Sequence, residues 1–211
     1  MAQFFQIHPD NPNARLIKQA ATLLREGAVI VYPTDSGYAL GCHLEDKEAV
    51  TRIRQIRNLD EQHHLTLVCR DLSELANYAR VDNVQFRLLK NNTPGAYTFI
   101  LQATKEVPRR LQHPKRSTVG VRIPDHPVAL ALLQELGEPL LSSTLIMPDA
   151  DYPLTDVGEI REQLESRVDL VIEGGAVGLE PTTVIDLTGA APQLLRAGRG
   201  DVTPLDRKSV V

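Results

Sequence analysis

The sequence predicts a single α/β domain, and three observations support this fold class. The chain has 211 residues, of which 42% are hydrophobic, so it can bury one sizeable core and lies near the upper end for one α/β unit. Segments with a helical spacing of apolar residues alternate with short apolar runs. No internal repeat, heptad series or low-complexity stretch divides residues 1–211.

A helix followed by a buried strand opens the chain. Asn11 can cap the helix, and Pro12 suits its first turn. The next apolar residues recur at helical spacing and stop before Gly27; they are Leu16, Ile17, Ala20, Leu23 and Leu24. The run AVIVY then predicts a short buried strand at residues 28–32.

Helices and strands continue to alternate through the middle of the chain. Helical spacing or helix-start signals predict helices at residues 50–56, 71–79, 84–90 and 127–136. Apolar or alternating runs predict strands at residues 65–69, 97–102 and 118–123. The LLSST run at residues 140–144 precedes a break, MPDADYP, which is too short to separate two domains.

The last part of the chain repeats the same alternation. Ile160 and Leu164 mark a helix, and Gly/Pro turns separate three predicted strands at residues 168–172, 183–187 and 193–197. The tail DRKSVV at residues 206–211 is expected to fray.

Charge and composition argue against a generally basic nucleic-acid binder, a membrane protein and a secreted protein. Asp and Glu outnumber Lys and Arg by 27 to 23, so any polyanion site must be local rather than a property of the whole surface. Cys42 and Cys69 lie in or beside apolar runs, and we expect two buried thiols. No stretch reaches the ~18 apolar residues of a membrane span, and no secretory signal opens the chain. A cytoplasmic protein without a membrane partner is expected.

The segment YPTDSGYALGC at residues 32–42 carries the strongest local signal for function. It places hydroxyl and carboxyl side chains directly after a buried strand, and loops at strand ends are where α/β sheets usually bind ligands. The other interpretation is a polar turn in which Thr34, Asp35 and Ser36 bond to the backbone. The residues alone leave both interpretations open.

Arginines and hydroxyls form two further candidate sets. The arginines follow a helix or a strand and suit phosphate or carboxylate: Arg52, Arg54, Arg57, Arg122 and Arg196. The alternative is that these arginines are ordinary solvated charges on the surface. This interpretation fits Arg122 least, because Arg122 follows the alternating apolar residues Val119 and Val121. The hydroxyls can hold ligand oxygens or be ordinary strand-edge residues: Thr98, Ser142, Ser143, Thr144, Thr182 and Thr183.

Several enzyme signatures are absent from the sequence. It contains no P-loop, dinucleotide-binding glycine fingerprint, nucleophile elbow or zinc-binding HExxH helix. His63 and His64 are adjacent, so on a regular element their side chains would point apart, and we expect solvated residues rather than metal ligands. The sequence assigns no catalytic nucleophile and no metal site.

Six motifs agree in order and approximate spacing with those of a known family. They are YPTDSGYALG, PGAYTFIL, VGVRIPDHP, LLSST, PTTVIDLT and LLRAG, within a region from about residue 14 to residue 200. In these motifs the sequence resembles the YrdC/YciO family, and its opening MAQFFQIHPDNP looks closest to the YciO branch. The resemblance implies one domain with an open twisted sheet of mixed strands and flanking helices around a concave, locally positive cavity.

The same resemblance implies a reaction. The family's founding activity joins ATP, L-threonine and bicarbonate into threonylcarbamoyl-adenylate and pyrophosphate for tRNA modification. ATP is then a substrate, Mg²⁺ is expected with it, and no tightly bound cofactor is implied. The protein would mainly position reactants and neutralise phosphate charge, which agrees with the absence of a nucleophile.

Site residues transfer from the family motif by motif. On the threonine side the resemblance implies Thr34, Arg122, Ser142 and Thr182. On the nucleotide and phosphate side it implies Arg57, Thr98, Thr144 and Arg196.

Two family signatures do not transfer. Leu59 replaces the arginine of the synthases' Lys-x-Arg pair, and Ile146 replaces the asparagine of their Ser-x-Asn. Each lost contact is worth about 2 to 3 kcal/mol, so slower synthase chemistry is expected, with His63 a candidate substitute. The alternative is a non-catalytic protein that binds double-stranded RNA or tRNA in the positive cavity. The net charge of -4 argues against this alternative, and the lost residues argue against the enzyme.

Overall fold

The computed structural model describes residues 1–203, within which ten strands form one mixed sheet. The strands are β1 (Gln3–Gln6), β2 (Ile30–Thr34), β3 (Gly37–His43), β4 (Thr66–Val68), β5 (Tyr97–Gln102), β6 (Thr118–Arg122), β7 (Leu140–Thr144), β8 (Leu170–Glu173), β9 (Thr183–Asp186) and β10 (Gln193–Arg196). The expected frayed tail, residues 206–211, lies outside the described residues.

The strand order confirms the predicted open sheet of mixed strands. Along the sheet it is β1-β8-β2-β3-β7-β4-β6-β5-β9-β10. Neighbours run parallel in the pairs β1/β8, β2/β8, β4/β6 and β5/β9, and antiparallel in the other pairs. Strands far apart in sequence are therefore neighbours in space.

Six α-helices flank the sheet within residues 1–203: α1 (Ala14–Arg25), α2 (Lys47–Arg57), α3 (Leu72–Tyr78), α4 (Asn83–Asn92), α5 (Pro127–Leu136) and α6 (Val157–Leu164). The cap of α1 is Asn13 rather than Asn11, because Asn13 Oδ1 accepts the Leu16 N–H at 3.1 Å. Helix α5 ends at Gly137 with φ 71°, as predicted.

The sequence does not predict β1 or β3. The segment interpreted as a loop turns after Thr34 and returns from Gly37 as β3, which pairs with β2 in a hairpin. Gly37 has φ 128°, a conformation that a side chain disfavours. The alternation of Tyr38, Leu40 and Cys42, all buried, is the strand signal inside that segment. Strand β1 is held by its distant partner β8, which no local pattern reveals.

The helices cover the two faces of the sheet unequally. Ile30 and Tyr32 of β2 pack with α1 and α5, whereas Val31 packs in a second cluster with residues of α2, α3, α4 and α6. On the α1/α5 face, the surface over β4, β5, β6, β7 and β9 lies open and forms a cavity. This is the concave face that the resemblance implies.

Both cysteines are buried and free, as predicted. Burial raises the pKa of the Cys42 thiol to about 12 and raises the pKa of Cys69 well above its ordinary value. Both thiols are therefore protonated at neutral pH and unsuited to nucleophilic attack. None of the helices within residues 1–203 combines the length and the apolar character that a bilayer span requires.

Candidate functional site

A cavity of about 470 Å³ occupies the open part of the concave face. The fold gathers in it all eight residues that the motifs single out: Thr34, Arg57, Thr98, Arg122, Ser142, Thr144, Thr182 and Arg196. These side chains come from both halves of the chain and from several strands. Which ligand each of them binds stays a prediction.

The strands place both polar and apolar side chains on the floor of the cavity. In β6, Thr118, Gly120 and Arg122 line the cavity, whereas Val121 is part of the core on the opposite face. Strands β4, β5 and β9 divide in the same way, whereas in β7 three consecutive residues line the cavity, and Val119 of β6 also reaches it. The cavity-lining residues of these neighbouring strands are Thr66, Val68, Thr98, Ile100, Ser142, Ser143, Thr144, Val184 and Asp186.

Gly120 adds depth at the centre of this floor. A Cβ atom at this position would lie 3.4 Å from Thr98 Cγ2 and 3.7 Å from Thr66 Oγ1. These are ordinary contact distances, so the fold leaves room for a methyl group. The missing side chain therefore leaves space for a ligand.

Arg122 is more buried than the other charged residues of the cavity, with 6% of its surface exposed. Its Nη1 donates to Ser36 Oγ at 2.8 Å, and its Nη2 donates to the Asp35 carboxylate. That carboxylate also accepts the Asp125 N–H at 2.9 Å. The Nε of Arg122 is buried and has no hydrogen-bond partner among the described residues. The ion pair compensates the buried charge, and the Nε–H of the guanidinium remains available as a donor.

The residues after β2 form a polar turn that bonds to its own backbone, and they also line the cavity. Thr34 Oγ1 accepts the Ser36 N–H at 3.1 Å and donates to the Gly37 carbonyl at 2.7 Å, which is the backbone bonding of a polar turn. Thr34 and Ser36 nevertheless line the cavity. The turn therefore places polar residues against the cavity while it satisfies its own backbone.

The hydroxyl of Ser142 forms two hydrogen bonds within the protein. Its hydroxyl donates to the Leu40 carbonyl at 2.9 Å and lies 2.7 Å from the hydroxyl of Tyr32, which must then be the donor. Burial raises the pKa of Tyr32 to about 12, although the bond to Ser142 acts in the opposite direction. Both hydroxyls are satisfied without a ligand.

Thr98, Thr182 and Arg196 form a chain of hydrogen bonds. The hydroxyl oxygens of Thr98 and Thr182 are 2.8 Å apart. Arg196 donates to the Thr182 hydroxyl at 3.1 Å and to the Thr182 carbonyl at 3.0 Å. Thr182, which the motifs place on the threonine side, thus contacts two residues of the nucleotide side. The two sets are joined rather than separate.

Only Arg57 of the three α2 arginines reaches the cavity. It donates to the Ser143 hydroxyl at 2.6 Å and to the Ile146 carbonyl at 3.0 Å. Arg52 forms an ion pair at 2.7 Å outside the cavity, and Arg54 donates to backbone carbonyls of the next loop. The surface interpretation therefore holds for Arg52 and Arg54.

The two positions that depart from the family signatures have different surroundings. Ile146 lines the cavity. Leu59 is half-buried and packs against the core. Where the synthases have an arginine, this chain has Leu59, which packs against the core. Where they have an asparagine, this chain has Ile146, an apolar side chain in the cavity.

Among the cavity-lining residues outside the predicted site set, four carry basic side chains: His63, His64, His113 and Arg116. His63 and His64 are exposed, as predicted, but the expectation that they point apart does not apply, because the loop that carries them is irregular. No sequence motif marks His113 or Arg116, which precede β6. Their position at the cavity depends on which loops the sheet brings together.

Within residues 1–203, the charged residues that line the cavity are mostly cationic: Arg57, Arg116, Arg122 and Arg196, with Asp186 as the single carboxylate. Asp35 offsets the charge of Arg122. On the outer helix α6, Glu159 and Glu162 are exposed. A chain with net negative charge thus carries a local concentration of positive charge.

The chain is similar to known proteins over nearly its whole length. A family model for the Sua5, YciO and YrdC proteins, described as telomere recombination, matches residues 22–198. Uncharacterized protein YciO of Escherichia coli K12 is 60% identical over 204 residues, which cover 97% of this chain and 99% of that protein. The crystal structure of Escherichia coli YciO aligns with 97% of this chain and 100% of that chain, with a TM-score of 0.94.

More distant relatives extend the comparison. The threonylcarbamoyl-AMP synthase of Halorhodospira halophila is 34% identical over 172 residues, 81% of this chain and 89% of that protein. Sua5 of Pyrococcus abyssi, complexed with L-threonine, aligns with a TM-score of 0.86 at 27% identity over 93% of this chain and 58% of that one. Since the family model covers most of the chain and the similarity to YciO spans nearly all of it, this protein belongs to the Sua5/YciO/YrdC family.

Proposed function

We propose that this protein makes threonylcarbamoyl-adenylate and pyrophosphate from ATP, L-threonine and bicarbonate, for the modification of tRNA. The observation that carries the proposal is the cavity itself, where Arg57, Arg122 and Arg196 converge with a set of threonine hydroxyls. Such donors recognise the oxygens of phosphates and carboxylates. The relatives named as synthases support this choice of reaction.

In this proposal L-threonine binds at Arg122. The Nε donor of Arg122 is buried without a partner among residues 1–203, and an unsatisfied buried donor costs about 1 to 3 kcal/mol. A carboxylate oxygen of the amino acid would supply the missing acceptor. Thr34, Ser142 and Thr182 complete the threonine side, and the relative complexed with L-threonine supports an amino-acid site in this family.

ATP lies on the nucleotide side, where its contacts are Arg57, Thr98, Thr144 and Arg196. The arginines neutralise phosphate charge as pyrophosphate leaves, and the hydroxyls donate to phosphate or ribose oxygens. Mg²⁺ would enter with ATP and neutralise part of the phosphate charge. Asp186 is the one carboxylate that the described residues place in the cavity, and it already accepts from the Thr188 hydroxyl at 2.5 Å, so the phosphates must supply most of the metal ligands.

The proposed chemistry needs positioning rather than a protein nucleophile. The amine of threonine and bicarbonate condense to a carbamate with loss of water. A carbamate oxygen then bonds to the α-phosphorus, while the bond from that phosphorus to the bridging oxygen breaks and pyrophosphate leaves. The cavity holds the two reactants in line. Ile146, in place of an amide that could hold the nucleotide, makes turnover slower than in the synthases.

The test measures pyrophosphate release from ATP, followed by detection of the adenylate by mass spectrometry. We expect release to require both L-threonine and bicarbonate. Arg196→Gln should lower the rate at least tenfold. Arg87→Gln, on the exposed surface of α4, is the matched control and should leave the rate unchanged. Release that continues without threonine or without bicarbonate would contradict the proposal.

The second candidate function is non-catalytic binding of double-stranded RNA or tRNA. Arg116 and Arg196 line the cavity and are exposed, so they are accessible to a phosphate backbone. RNA affinity would fall as salt rises, because phosphate contacts release counterions. If an RNA duplex binds with this salt dependence and no adenylate is formed, RNA binding would replace the synthase reaction as the preferred function.

A further inference from the structure

Five donor side chains form one end of the cavity, and we name them the histidine cluster. Its members are Arg57, His63, His64, His113 and Arg116. Only Arg57 belongs to the family motifs. His63 is the candidate substitute for the arginine lost at Leu59, and the other three residues have no role in the reaction described above.

The sheet topology explains why these residues meet. His63 and His64 lie just before β4, and His113 and Arg116 lie just before β6. Strands β4 and β6 are parallel neighbours, so the loops that precede them lie at the same edge of the sheet. The rings of His64 and His113 are stacked with their centroids 4.9 Å apart.

The cluster presents donors that no described residue uses. His113 Nδ1 accepts the N–H groups of Lys115 and Arg116, both at 3.1 Å. In the neutral ring the proton is therefore on Nε2, which remains available to donate. Within residues 1–203, His63 and Arg116 form hydrogen bonds only through their backbone atoms.

The charges around the imidazoles are mostly positive. Burial and the nearby Arg57 and Arg54 lower the pKa of His63, against the opposing effect of Asp60. Burial, the other two histidines and Arg54 lower the pKa of His64. Asp60 is directed to the loop backbone, where its carboxylate accepts the His63 N–H at 2.9 Å. A bound anion would relieve this repulsion and favour protonated imidazoles.

We propose that the histidine cluster binds a polyphosphate, with two arginines supplying permanent charge and the imidazoles donating to phosphate oxygens. Five donor side chains exceed what a single carboxylate can accept. The described histidines do not form a group that could hold a metal ion. The identity of the polyphosphate rests on the proposed function: it is the β- and γ-phosphates of ATP, which leave as pyrophosphate. The cluster would then replace the phosphate donor that is lost at Leu59.

The experiment measures binding of inorganic pyrophosphate by titration calorimetry to the wild-type chain and to single variants. We expect Arg116→Gln to weaken binding at least tenfold and His64→Gln at least threefold. Arg87→Gln, outside the cavity, should change it less than twofold. L-Threonine affinity should be the same in all three variants, which shows that the cavity remains folded.

A second readout is the number of protons taken up on binding, obtained near neutral pH from heats in buffers of different ionisation enthalpy. Wild type should take up more protons than His64→Gln, because the anion raises the imidazole pKa. Equal proton uptake, or pyrophosphate affinity unchanged in both cluster variants, would overturn the inference. Pyrophosphate binding at the cluster without threonine-dependent release would leave the inference standing and remove only the proposed reaction.

Discussion

Arg122 donates to the hydroxyl of Ser36 at 2.8 Å although the two residues belong to distant parts of the sheet. Ser36 lies in the turn between β2 and β3, and strands β7 and β4 separate this hairpin from β6, which ends at Arg122. In a flat sheet, three to four strand spacings would hold them roughly 14 to 19 Å apart, beyond the reach of an arginine. The sheet must therefore curve, and the curvature forms the concave cavity.

Arg122→Lys tests the proposed threonine site. Lysine keeps the charge but lacks the planar donors that reach Asp35 and Ser36 and the free Nε. We expect L-threonine affinity, measured by calorimetry, to fall at least tenfold, or about 1.4 kcal/mol. Arg122→Ala should lower the melting temperature further, because a buried carboxylate left without its partner costs about 3 to 5 kcal/mol. Unchanged threonine affinity in Arg122→Lys would remove this residue from the site.

Substitutions of two glycines should have different effects, because Gly120 leaves space for a ligand whereas Gly198 allows two backbone segments to approach closely. At Gly120 a Cβ would meet Thr98 and Thr66 at 3.4 and 3.7 Å, so Gly120→Ala should keep its melting temperature and lose ligand affinity. At Gly198 a Cβ would lie 2.3 Å from the Pro181 carbonyl oxygen. Gly198→Ala should therefore lose stability, by about 1 to 3 kcal/mol or more. Equal thermal stability of the two variants would contradict this assignment.

Ile146→Asn tests whether the altered motif limits catalysis. Because Ile146 lines the cavity, an amide there can contact the nucleotide. We expect pyrophosphate release that depends on threonine and bicarbonate to rise about tenfold, or ~1.4 kcal/mol of transition-state stabilisation, with threonine affinity unchanged. A folded variant without any gain would show that this position does not limit the rate.

Leu59→Arg should behave differently, because Leu59 packs against the core. An arginine there strands a charge, and we expect a lower melting temperature, by thermal denaturation, in the single variant and in the double variant with Ile146→Asn. A double variant as stable as wild type would show that the arginine side chain escapes to the solvent or the cavity.

Stability should decrease at alkaline pH because two buried groups resist ionisation. Burial raises the pKa of Cys42 from 9.0 to about 12 and that of Tyr32 from 10.0 to about 12. Since each pKa is higher in the folded state, the contribution is complete below the ordinary pKa and is lost as the pH rises towards about 12. Urea unfolding should show this loss, reduced in Tyr32→Phe. Equal pH profiles for the two proteins would contradict it.

Local patterns in the sequence are sufficient to predict most elements and the faces of several strands. Strand side chains alternate, so the sequence around Thr98 and Phe99 already indicates one polar and one apolar face. The same holds around Val121 and Arg122. Gly137 likewise indicates the end of α5. These features depend on residues within a few positions of each other.

Contacts between distant segments decide the rest. No local conformational preference separates Arg57, which the family resemblance singles out, from Arg52 and Arg54. Helix α2 packs against β3, whose neighbour in the sheet is β7, and this arrangement brings Arg57 to Ser143. His64 meets His113 because β4 and β6 are neighbours. Strand order and sheet curvature follow from pairing between residues far apart in the chain, and local conformational preference contains no information about such partners.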